Sequence, residues 1–191
     1  MQHSRLIESA RNWVETVVVG LQLCPFAKRE LSNDRVRFAV TDAKTAEELV
    51  VALAEELRQL DENSSIETTL LIHHRALRDF YEYNDFLSIA DGLLIDMNLE
   101  GVIQIASFHP EYQFADTEPD DVQNYTNRSP DPMLHLIRED SLEWAIAEYP
   151  DVGKIPERNI LCMNTMGASK MRAILHKCSA EAIGTDSSGD A

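Results

Sequence analysis

TTLLIHH, residues 68–74, decides how this chain folds. It is a short apolar run bounded on its N-terminal side by the polar DENSS, and a run of this length reads as a buried strand. Ahead of it, Ala46, Leu49, Val50, Leu53, Ala54, Leu57 and Leu60 form one apolar stripe, which predicts a helix from about Lys44 to Leu60. Asp42 is the expected cap of that helix, with Thr45 three residues on completing only half of a capping box. RVRFAVT, at about 35–41, is the strand before it. Behind TTLLIHH, a third helix is expected from about Leu77 to Asn98, with an interruption near Gly92, where a glycine costs a helix ~1 kcal/mol. GVIQIASFH then supplies a strand at 102–108.

The ends of the chain read as helical. Leu6, Ala10, Trp13, Val14, Val17 and Val18 recur at helical spacing, with Ser4 placed to cap and Gly20 to end the segment. The turn LCPFAKRELSND follows. Near the other end, PMLHLIRE at 132–139 reads as a short strand with Pro132 at its first position. A helix capped by Asp140 or Ser141 runs to Tyr149 and is stopped by Pro150, Pro156 opens another, and Gly167 separates it from a last helix at about Ala168–Lys177. Residues 1–178 therefore read as one globular domain, and the tail SAEAIGTDSSGDA, 179–191, carries too little apolar surface to fold. Strand, helix, strand, helix, strand in that order predicts an α/β sandwich: a small, mainly parallel sheet of about four strands flanked by helices. The fourth strand follows without a helix, so an antiparallel placement is open to it.

Composition narrows the function. Of 191 residues, 33 are acidic and 17 basic, a formal charge of −16, and such a surface repels nucleic-acid phosphates and anionic membranes. No apolar run reaches the ~18 residues that span a bilayer. The N-terminal stretch lacks the basic start and cleavage site of a secretory signal, so the cytoplasm is the expected location. The three cysteines show no CxxC spacing, which argues for neither a disulfide framework nor a zinc cassette. Neither GxGxxG nor GxxxxGK[ST] occurs, so no nucleotide fingerprint is present. Nothing in the sequence speaks to oligomeric state.

The chemistry concentrates in residues 107–131, SFHPEYQFADTEPDDVQNYTNRSPD. Long loops in small domains are usually functional or disordered. Here Tyr112, Asn124, Asn127 and Arg128 suit the binding of a polar or anionic small molecule, since a guanidinium grips a carboxylate or phosphate with two parallel bonds. The same groups suit a loop that staples itself, with Arg128 paired to Asp120 or Asp121. His109 is the candidate acid or base, having an ordinary pKa near ~6.5.

Open α/β sheets bind ligands at the carboxyl ends of their strands. His73 and His74 close one strand and His109 another, while an antiparallel fourth strand brings His135 near the same edge. His74, His109 and His135 are thus candidate ligands for a divalent metal, with carboxylates at Asp116, Glu118, Asp120 and Asp121. His135 shares a strand face with Met133 and Ile137, which equally fits a core residue. The run DTEPDD lacks the glycine and glutamate of a calcium loop. Cys24 is the candidate nucleophile. It follows the C-terminal end of the first helix, where the helix dipole opposes a thiolate, and a packing role is the alternative. Cys162 and Cys178 read as structural.

LCPFA at 23–27, FHPEYQF at 108–114, NYTNRSP at 124–130 and PMLHLIRE at 132–139 together resemble an uncharacterised, mostly bacterial domain-of-unknown-function family, over about Asn12 to Leu175. The family's signature carries a glycine at the position of Asp116 and an aromatic at that of Asp131. The resemblance implies no established activity; its words fall on Cys24, His109, Asn124, Asn127 and Arg128. The leading expectation is a small cytosolic enzyme acting on a polar or anionic metabolite, metal-assisted in one version. The rival is a non-catalytic ligand-binding or protein-interaction module.

Overall fold

The computed structural model describes residues 2–149, 151–180 and 183. Four strands, β1 (Val36–Val40), β2 (Thr68–Ile72), β3 (Ile103–Phe108) and β4 (Met133–Arg138), form one sheet in the order β1-β2-β4-β3. β1 and β2 are parallel, and β4 lies antiparallel to both β2 and β3. The expectation of a mainly parallel sheet therefore fails, because two of the three ladders are antiparallel. The cause is local. Only one short 3-10 turn, Val122–Thr126, lies between β3 and β4, too little for a crossover, so the chain returns from the edge at which β3 ended. Met133, Leu134 and Leu136 are fully buried, and a strand buried on both faces belongs inside a sheet, not at its rim.

Strand alternation sends side chains to two cores. Ala39, Leu71, Leu134 and Leu136 face α3 (Ala46–Glu62) and α4 (Phe80–Asp96). In α3, Leu49, Leu53, Leu57 and Leu60 are fully buried at helical spacing. Thr45 caps α3, accepting the Glu48 amide at 3.3 Å, while the Glu48 carboxylate accepts the Lys44 amide at 2.7 Å; the cap expected at Asp42 lies three residues further on. α4 starts at Phe80, not Leu77, because Leu77 takes a φ of +49° and Asp79 caps the helix through the amides of Tyr81 and Glu82. It runs through Gly92 without a break.

On the opposite face, Leu70, Ile72 and Met133 meet α1 (Gln2–Trp13), α6 (Ile155–Met166) and α7 (Ala168–Cys178). Helical backbone continues past Trp13 as a π-helical segment, Val14–Val19. Gly20 closes it, and a Cβ there would lie 2.3 Å from the Thr16 carbonyl oxygen, so the glycine is required by close approach. Two more helices are α2 (Ala27–Ser32), formed within the segment expected as a turn, and α5 (Glu139–Glu148), which has no buried residue. Pro150 and most of the tail at 179–191 lie outside the described residues. Among the described residues, no helix is long and apolar enough to cross a membrane.

Candidate functional site

At the carboxyl edge of β2 and β3 the expected convergence is only partial. His73 and His109 both pack against Tyr83, with ring centroids 5.6 and 5.1 Å from it. Both are fully buried and occupied by backbone. His109 accepts the Glu111 amide on Nδ1 at 3.0 Å and donates from Nε2 to the Leu77 carbonyl at 3.3 Å. His73 bonds the Ala76 carbonyl through Nδ1 at 3.1 Å, and its Nε2 is sealed without a partner. Burial pushes the His73 pKa down to about 4 and lowers that of His109, so both rings are neutral at pH 7. Tyr83 ties the edge together, donating its hydroxyl to the Met133 carbonyl at 2.8 Å and accepting the Phe108 amide at 3.1 Å.

His74 lies apart from this pair. It packs near His3 and Asp42, whose carboxylate accepts from His3 at 2.9 Å and stands 3.6 Å from His74 Nε2. His135 is further removed, in mid-strand on the other face of the sheet, opposite Leu70 and Ala106. The three proposed metal ligands therefore do not share a centre. Among the described residues, no group of three or more His, Cys, Asp and Glu side chains is arranged to hold a metal ion.

The loop spends its polar side chains on itself. Arg128 donates from Nε to the Tyr112 carbonyl at 3.1 Å and from Nη2 to the Pro119 carbonyl at 2.6 Å, with its guanidinium 4.7 Å above the Tyr125 ring. Its expected partners Asp120 and Asp121 are replaced by carbonyls. Buried Asn124 accepts the Phe114 amide and the Thr117 hydroxyl and donates to the Glu118 carbonyl. Asn127 donates to the Ser107 carbonyl at 3.2 Å. Tyr112 packs its ring at a tilt against Phe80 and edge-on against Phe114. Asp116 holds a φ of +62°, a left-handed turn that glycine adopts more readily. Of the two readings of Arg128, these bonds describe the staple.

Open space is found instead beneath α2 and α5. A cavity of about 700 Å³ lies over one end of the sheet, where the floor is built from short side chains, Thr68 and Ala106, beside His135. Trp13, Phe26, Phe108 and Trp144 contribute aromatic walls. α5 roofs the space lightly: the Arg29 guanidinium sits 4.6 Å over the Trp144 ring, and Phe26 meets Tyr149 edge-on at 5.8 Å. At the rim, Arg35 bridges Glu30 and Glu67.

Two sequence candidates line this cavity, Cys24 and His135. Cys24 follows the end of the first helical segment, as expected, and also precedes α2, where its sulfur accepts the amides of Phe26 and Ala27. Burial outweighs those bonds and raises the thiol pKa, so the sulfur is protonated at neutral pH. His135 Nε2 lies 2.7 Å from the Thr68 hydroxyl, and burial lowers its pKa to about 4. The sequence reading missed Thr68 and Ala106. Their signal is two small residues flanking a strand histidine on one face of an otherwise bulky sheet.

The model of a protein family described as of unknown function, DUF1415, matches residues 5–173. The chain belongs to the DUF1415 family. The match takes in all four strands, the stapled loop and every residue of the cavity named above. No curated protein and no solved structure matches this DUF1415 chain.

Proposed function

We propose that this DUF1415 protein is a cytoplasmic small-molecule-binding domain whose ligand fills the cavity between the sheet and α2 and α5. The observation that carries this is a space of about 700 Å³ walled by aromatic and aliphatic side chains around a few polar groups. Ligand pockets run to ~300–1,000 Å³ and have that composition. An apolar body is favoured over the polar metabolite expected from the loop, because the loop's donors are consumed internally while the cavity walls offer carbon. A catalytic version of the reading rests on Cys24, which opens onto the same space. As a protonated thiol it needs a base brought by the ligand or by a change in the roof before it can act as a nucleophile.

Nile red, a neutral dye that brightens in apolar surroundings, tests the binding reading. The wild-type protein should bind it saturably at one site. Ala106→Trp fills the cavity from the floor and Ala145→Trp from α5, a helix with no buried residue. Each should weaken binding at least tenfold with the circular dichroism spectrum unchanged. Unaltered dye affinity in folded variants would sink the proposal, as would absence of saturable binding to the wild type.

A further inference from the structure

The polarity of the cavity floor is fixed by a chain of two hydrogen bonds. The Thr68 hydroxyl lies 2.6 Å from the Leu136 carbonyl oxygen, which can only accept, so the single hydroxyl proton is committed there. Thr68 Oγ1 therefore presents a lone pair to His135 Nε2, 2.7 Å away, and that nitrogen must carry the imidazole proton. A neutral imidazole protonated on Nε2 is bare on Nδ1. Among the described residues, His135 Nδ1 makes no hydrogen bond, and it is not among their sealed, partnerless polar atoms, as His73 Nε2 and His74 Nδ1 are. It is left open to the cavity that His135 lines.

We infer that the cavity selects an apolar molecule bearing a hydrogen-bond donor, an alcohol or phenol, whose O–H is received by His135 Nδ1. A carboxylate brings only lone pairs to a lone pair. It also meets a rim in which four carboxylates, Glu30, Glu67, Asp140 and Glu148, outnumber the guanidinium groups of Arg29 and Arg35. Arg35 is already held by Glu30 and Glu67. An ether or hydrocarbon of the same shape fits the walls and leaves Nδ1 without a partner. This inference rests on the cavity being a ligand site and adds the class of ligand.

The test uses one skeleton with three ends: 2-naphthol, 2-methoxynaphthalene and 2-naphthoate, each displacing Nile red from the full chain at pH 7. The naphthol should bind about tenfold more tightly than either of the others, the worth of one hydrogen bond. In His135→Leu the three should converge. Nitrogen-15 shifts of the His135 ring should show Nε2 protonated and Nδ1 bare in the free protein. Equal affinities, preference for naphthoate, a naphthol preference that survives His135→Leu, or a proton on Nδ1 each overturn the inference. If Nile red binds and none of the three displaces it, this inference fails alone. If Nile red does not bind, the cavity reading fails and takes this one with it. Should His135→Leu not fold, the wild-type affinities and the ring shifts still decide.

Discussion

The indole of Trp13 donates its Nε1–H to the backbone carbonyl of Arg128 at 3.0 Å. One bond thus joins the last residue of α1 to the loop that the sequence marks as most unusual, across 115 positions of chain. Trp13 is buried and meets Phe108 edge-on, with ring centroids 5.0 Å apart. Trp13→Phe keeps most of the packing and removes the donor, leaving a carbonyl short of a partner. A loss of about 1–3 kcal/mol is expected by urea denaturation. A loss within error would show that water replaces the indole at no cost.

Arg128→Lys separates stapling from ligand binding. A lysine is a point charge and cannot hold the Tyr112 and Pro119 carbonyls together as the fork does. Stability should fall by roughly 1–2 kcal/mol, and the amides of Thr117 and Asp121, bonded within the loop, should exchange faster. Unchanged exchange and stability, together with lost ligand affinity, would return Arg128 to the binding role.

Acid should unfold the protein through its buried histidines. His73 and His135 have folded pKa values near 4, against about 6.5 when exposed. Between those values the unfolded chain binds more protons, so stability rises with pH. The contribution is complete above pH ~6.5 and is lost as pH falls toward 4, at about 1.4 kcal/mol per pH unit for each ring. His74 and His109 shift in the same direction. Urea titrations at pH 7.5, 5.5 and 4.5 should show this slope, and His135→Leu should make it shallower. A flat profile would refute neutral burial.

Gly92→Ala should stabilise. The glycine lies inside α4, and a Cβ at that position meets nothing within 4 Å. Relief of the helix penalty is worth about 1 kcal/mol, or roughly 2–4 °C in Tm for a chain of this size. A lower Tm would mean that α4 bends at Gly92 in solution.

What the sequence showed well was short-range. Strands at 36–40, 68–72 and 103–108 and the helix over 46–62 announce themselves through apolar runs and a leucine stripe. The face of His135 was also legible, from its alternation with Met133 and Ile137. The π-helical segment was not, because valines at 14, 17, 18 and 19 fit the spacing of either helix. Nor was α2, whose AKRELS has no apolar period. The direction of β4 and its interior position follow from the short connection and its two-sided apolar pattern, but which two strands it separates depends on the neighbours it finds, and no local pattern encodes that. Arg128 was ambiguous for a chemical reason: its partners are main-chain carbonyls, which every loop possesses, so composition could not tell a staple from a ligand clamp.

The order β1-β2-β4-β3 also constrains the birth of the molecule. Chains leave the ribosome N-terminus first, at ~5–20 residues per second. When β3 has emerged it has no strand to pair with, because β4, which lies between it and β2, ends only at Arg138. The β2 edge and both sides of β3 stay unpaired for the seconds it takes to make the stapled loop and β4. Unpaired apolar edges are templates for wrong partners. A self-fastening loop between β3 and β4 shortens that exposure by delivering the last strand already aimed at its slot.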